Sequence, residues 1–129
     1  MPDRFSPEDP REWLNRGRSN LLLAKAEEKG IYLEDLCFHA QQAAEKAIKA
    51  VLIRHDVEFP YVHDIAELLT ILEGVGQIIP ESIRQAEKLT RFAVFTRYPG
   101  IASPVSHEEY AEALKIATEV LGWAQTQIE

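Results

Sequence analysis

Apolar residues recur at helical spacing through most of the chain. Trp13, Leu14, Gly17, Leu21 and Ala24 share one stripe, widened by Leu22 and Leu23. They predict a first helix from Pro10 to Gly30, a glycine suited to the turn after a helix. Leu36, Ala40, Ala44, Ala47, Ile48, Val51 and Leu52 repeat in the same way and predict a second helix over residues 34–55. Its alanines allow close approach of a neighbour. A shorter third helix is expected from Asp64 to Glu73, ended by Gly74 and Gly76, and a fourth from Pro80 to Tyr98. Pro99, Gly100 and Pro104 then force an irregular loop before a last helix over 106–128, lined by Tyr110, Ala111, Leu114, Ala117, Leu121, Ala124 and Ile128.

The helix starts carry their own signals. Asp9 with Glu12, Asp64 with Glu67 and Ser106 with Glu109 have the spacing of a capping box, in which the first side chain accepts an orphan N–H and the glutamate reaches back. Pro10 sits at a first helical position, where its missing N–H costs nothing. Residues 57–62 alone resemble a strand, and Pro60 argues against it. The expected fold is all-α: an antiparallel four-helix bundle with the third helix as a short addition, in a single domain over residues 1–129.

Composition narrows the classes of function. With 46% hydrophobic and 27% charged residues among 129, the chain can close a core without disulfide or metal staples. The lone Cys37 excludes an intrachain disulfide and a cysteine-based zinc cluster, so a reducing cytoplasm is the expected compartment. No apolar run exceeds four residues, against about 20 for a bilayer span, so no membrane association is expected. Fourteen basic against twenty-one acidic side chains give a net charge of -7, which disfavours a general duplex-DNA binder. Any nucleic-acid contact must be local.

Two basic stripes are candidates for such a contact. On the second helix, His39, Gln42, Lys46 and Lys49 fall within roughly 80° of one another, clear of the alanine-rich face. This is either a plain solvated face or, because Phe38 and Ile53 share the outer side, a ligand or partner surface. On the fourth helix, Arg84, Lys88 and Arg91 follow i, i+4, i+7 spacing and Arg97 stands near the end. These cations either grip phosphates or pair with the glutamates of neighbouring helices. Neither a Gly-x4-Gly-Lys loop nor Gly-x-Gly-x-x-Gly is present, and His-Glu-x-x-His is absent. His63 beside Asp64 offers one carboxylate-supported ligand with no second at helical spacing, so neither a metal nor a cofactor is expected.

The run Cys37-Phe38-His39-Ala40-Gln41-Gln42-Ala43-Ala44-Glu45-Lys46-Ala47-Ile48-Lys49-Ala50 resembles the HEPN domain, the higher-eukaryote and prokaryote nucleotide-binding family. The resemblance continues through His63-Asp64-Ile65 and from Arg91-Phe92 to Thr96-Arg97-Tyr98-Pro99, and covers nearly the whole chain. It implies a helical bundle, usually dimeric. It also implies one of two activities: a metal-independent ribonuclease, often a toxin beside a small nucleotidyltransferase antitoxin, or a non-catalytic module for nucleotides, RNA or proteins. Catalytic members carry Arg followed after four to six residues by His, the Arg polarising the scissile phosphate and the His moving a proton. Here nine residues separate Arg97 from His107, and the pattern is not met.

The expected function is therefore a nucleotide-, RNA- or partner-binding module acting with a small nucleotidyltransferase in a toxin–antitoxin-like pair. Its contact surface is expected to comprise His39, Gln42, Lys46, Lys49, Arg84, Lys88, Arg91, Arg97 and Tyr98. The alternative is a ribonuclease toxin using Arg97 and His107, brought together by the loop. A homodimer is expected because Phe38, Ile53, Ile116, Val120 and Trp123 exceed what one small bundle should leave exposed.

Overall fold

A computed structural model describes residues 2–94 and 104–129. Helix α1 spans Pro10–Ala24, α2 Leu33–Arg54, α3 Ile65–Gly74, α4 Glu81–Arg84 and α5 His107–Ile128; a 3-10 helix, Gln85–Ala93, continues directly from α4. The fold is all-helical, an antiparallel four-helix bundle with α3 as its short addition. Side-chain contacts fix the directions. Asn20 of α1 meets His39 of α2, whereas Trp13 lies by Lys49, so the two run antiparallel. The Tyr110 hydroxyl donates to the Ala24 carbonyl at 2.6 Å, and Arg18 meets Glu129 at 3.1 Å, so α5 also opposes α1.

Helix α2 lies at the centre. Its alanines 40, 43, 44, 47 and 50 are fully buried, and the gap they leave is filled by α1 at Gly17. A Cβ on Gly17 would stand 3.2 Å from the Ala43 carbonyl oxygen and 3.2 Å from Leu121. This close approach sets the spacing of α1 and α2 on which their shared polar residues depend.

Two expected boundaries are corrected. The first helix ends at Ala24, not near Gly30, because the stretch after it offers only exposed polar side chains and Ala26, with nothing to bury. Gly30 instead takes a positive φ of 96° within the connection to α2. The fourth helix is one turn of α followed by 3-10 winding through Ala93; its expected end at Tyr98 lies outside the described residues. Ile83, Ala86, Leu89 and Phe92 are all buried and recur every third residue. On an α-helix such a repeat drifts by about 60° per step, roughly 180° over the run, whereas 3.0 residues per turn keep it on one line facing the core.

Of the capping boxes, Ser106 and Glu109 form the full reciprocal pair. Asp64 accepts from the N–H groups of Ala66 and Glu67. Asp9 accepts from the Arg11 N–H, while Glu12 accepts from Phe5 N and Arg16 Nε instead of returning to Asp9. Ile116 and Val120 are buried, not surface residues, because α5 packs against α1 and α2 and also against the 3-10 helix. They contribute nothing to an exposed dimer face, and Trp123 is half-buried against the core.

Candidate functional site

The stripe expected on α2 divides into two polar clusters. On the α1-facing side of the middle of α2, Lys46 Nζ donates to Asn20 Oδ1 at 2.7 Å, and the Asn20 amide group lies 3.3 Å from His39 Nδ1. An ammonium only donates, so the Lys46 bond fixes the carboxamide with its oxygen toward lysine and its NH2 toward histidine. His39 Nδ1 must then accept, leaving the proton on Nε2. Burial holds the His39 pKa below its ordinary value and the Lys46 charge adds to this, so the neutral imidazole is favoured. Lys46 is itself lowered, chiefly by burial and then by Arg16. Among the described residues Lys46 has no carboxylate in ion-pair reach.

The second cluster surrounds Glu45. It is 3% exposed and accepts from Gln41 Nε2 at 2.8 Å and from Lys49 Nζ at 2.9 Å, with His63 Nδ1 at 2.8 Å on its first oxygen. Gln42 extends this chain by donating to Gln41 Oε1 at 2.7 Å. Burial pushes the Glu45 pKa up, but the bonds from Lys49, Gln41 and His63 outweigh it and hold the carboxyl below its ordinary range. Lys49 is therefore an interior cation, 6% exposed, with its ammonium near the rings of Phe59 (5.6 Å) and Trp13 (6.0 Å). His63 serves Glu45, and Asp64 is engaged in capping α3. Among the described residues no group of three or more His, Cys, Asp or Glu side chains is arranged to hold a metal ion.

The second basic stripe is split by the 3-10 winding. At about 120° per residue, Lys88 and Arg91 eclipse each other while Arg84 stands apart. Lys88 lies 3.5 Å from Glu112 and Arg91 2.6 Å from Glu109, both on α5, whereas Arg84 pairs with Glu73 at the end of α3. Each of these cations thus faces a carboxylate. Among the described residues no hydrogen bond or ion pair joins this stripe to His39, Gln42, Lys46 or Lys49. Arg97 and Tyr98 lie outside the described residues. His107 occupies the first position of α5, exposed, with Nδ1 3.4 Å from Glu27.

The residues missed by reading the sequence are Asn20, Glu45, Gln41 and the pairing of His63. Asn20 carries a signal: it is a polar residue inside the apolar stripe of α1, three positions after Gly17 and one before Leu21. Glu45 precedes Lys49 by four residues, the favourable order for a helical ion pair.

The comparisons with known proteins agree with this architecture. A HEPN domain family profile matches residues 10–127. The chain belongs to the HEPN domain family. Among solved structures, this HEPN domain is similar to ST0689, an archaeal HEPN homologue, at 28% identity, covering 94% of this chain and 98% of that one, with a TM-score of 0.75. It is also similar to TT1696 from Thermus thermophilus, at 30% identity, with 92% and 97% coverage and a TM-score of 0.78. No curated protein gives a significant match. No helix among the described residues is long and apolar enough to cross a membrane.

Proposed function

We propose that this HEPN domain is a non-catalytic binding module that holds the phosphate of a nucleotide or RNA and acts beside a small nucleotidyltransferase. The observation that carries this reading is the donor set on the middle of α2. Asn20 holds Lys46 and a neutral His39 side by side, so the lysine N–H groups not given to Asn20 and the imidazole Nε2–H remain for an anion. Lys46 lacks a carboxylate partner among the described residues, in contrast to Lys49, Arg84, Lys88 and Arg91. A half-buried cation with a neutral donor beside it is suited to a phosphate oxygen. Gln42, Arg84, Lys88, Arg91, Arg97 and Tyr98 complete the proposed contact surface; Lys49, expected on it from the sequence, is buried against Glu45 and is left out. An anion reaching the stripe of the 3-10 helix competes with Glu73, Glu112 and Glu109.

The module is proposed to work as a homodimer in the cytoplasm. Light scattering at roughly tens of micromolar is expected to give close to twice the chain mass, and a monomer contradicts it. The binding reading is tested by incubating the protein with labelled RNA in EDTA and following both retention and cleavage. Retention without cleavage supports it. EDTA-resistant cleavage lost in Arg97→Ala and in His107→Ala, with both variants folded, overturns it in favour of the ribonuclease. Co-purification with a co-expressed small nucleotidyltransferase tests the partner.

A further inference from the structure

The other end of the α1–α2 pair holds an open cleft of about 540 Å³ that the anion site does not use. Its apolar lining comes from Trp13 of α1, Ile53 of α2, and Phe59 and Tyr61 of the connection to α3. Trp13 and Phe59 meet edge to face, centroids 6.2 Å apart at 88°, and the Trp13 indole N–H donates to the Pro7 carbonyl at 2.7 Å, so this corner is built in advance of any ligand. Tyr61 is 98% exposed, an aromatic ring left almost wholly in water.

The rim has one sign of charge. Glu8, Asp56 and Glu58 line the cleft, and none has a cation in ion-pair reach among the described residues. What sets the rim apart is that its unpaired acids stand together beside an apolar floor, whereas Asp9, Glu12, Glu45, Glu73, Glu109 and Glu112 each have a cation within 4.0 Å. The nearest interior cation, Lys49, is neutralised by Glu45 and leaves the rim uncompensated. The three carboxylates do not converge on a point where one metal ion would be held. Spread negative charge around half-buried Trp13 and Phe59 and exposed Tyr61 is complementary to a ligand whose positive charges are also spread and whose body is apolar.

We infer that this cleft docks a basic segment of a partner protein, with an aliphatic side chain against Trp13 and Phe59 and flanking Arg or Lys side chains on Glu8, Asp56 and Glu58. The volume suits two or three side chains and lies within the range of ordinary ligand sites, about 300–1,000 Å³. Nucleic acid is disfavoured by the charge, and a small polyamine would leave the apolar floor unfilled. The surface is separate from Lys46 and His39, so the module is able to hold an anion and a basic partner at the same time.

The test uses the full chain carrying Trp123→Phe, so that Trp13 is the one remaining indole. The probe is a capped Arg-Leu-Leu-Arg peptide followed by Trp13 fluorescence, with capped Glu-Leu-Leu-Glu and spermidine as controls. Saturable change with a midpoint below about 1 mM is expected, weakened about fivefold or more by Asp56→Asn with Glu58→Gln and unchanged by Lys46→Glu. Asparagine tolerates the positive φ of 57° at Asp56, so the double variant keeps the local backbone. Absence of saturation by about 5 mM overturns the inference, as does an equal response to the acidic peptide or to spermidine, or indifference to the double variant. Failure of RNA binding leaves these readouts untouched, because they depend on the opposite charge.

Discussion

At Glu45 a carboxylate and the Lys49 ammonium, 2.9 Å apart, are both almost out of water, so neither charge is solvated if the other is lost. Glu45→Gln is expected to destabilise the fold by about 3 kcal/mol in urea unfolding, because it strands a buried cation. Combining Glu45→Met with Lys49→Met should recover part of that loss; full recovery is prevented by Gln41, buried and left without its acceptor. Additive losses in the double variant would contradict the coupling. The Glu109 carboxyl shows a second dependence. The Ser106 N–H, then Arg91 and the Ser106 side chain, hold it at about 2 against an ordinary 4.5. A depressed carboxylate contributes stability above its unfolded value and loses it as pH falls through the folded one. Thermal midpoints of the wild type should therefore drop between pH 4.5 and 2, and the drop should be shallower in Glu109→Gln. Parallel profiles would contradict this. The Ser106–Glu109 cap and the Glu45–Lys49 pair have local spacing in the sequence, whereas the long-range partnerships are not legible there, because His63 lies 18 residues from Glu45, and Asn20 lies 19 and 26 residues from His39 and Lys46.

Helices α2 and α5 are legible almost to the residue, since apolar spacing of 3.6 residues and a cap at Ser106 are local signals. The 3-10 helix is not, because basic residues at i, i+4, i+7 suggest an α-helical stripe, whereas the buried residues 83, 86, 89 and 92 repeat every three. The period of the buried side chains decides the winding, and the winding sends Arg84 to α3 and Lys88 and Arg91 to α5. The close approach of α1 to α2 gives a prediction at this scale. Gly17→Ala gains about 1 kcal/mol of helix propensity, but its methyl meets the Ala43 carbonyl, which belongs to the backbone of α2 and cannot rotate away. A net loss of about 1 kcal/mol in urea unfolding is expected, and a stabilised variant would contradict the packing.

On the whole molecule, net charge of -7 and local donor groups are reconciled by division of the surface. Acids neutralise the stripe carried by α4 and the 3-10 helix, crowd the cleft by Trp13, and leave Lys46 with a neutral amide. The proposed contact of Lys46 with a phosphate is tested by the salt dependence of single-stranded RNA binding, measured by anisotropy in EDTA for the wild type and Lys46→Gln. One lost phosphate contact makes the slope of log K against log salt shallower by about 0.7 and weakens binding across RNA sequences. That result is expected, with the helical circular-dichroism signal unchanged. Lys46→Gln binding RNA with the wild-type affinity and the wild-type slope would contradict a phosphate contact at Lys46.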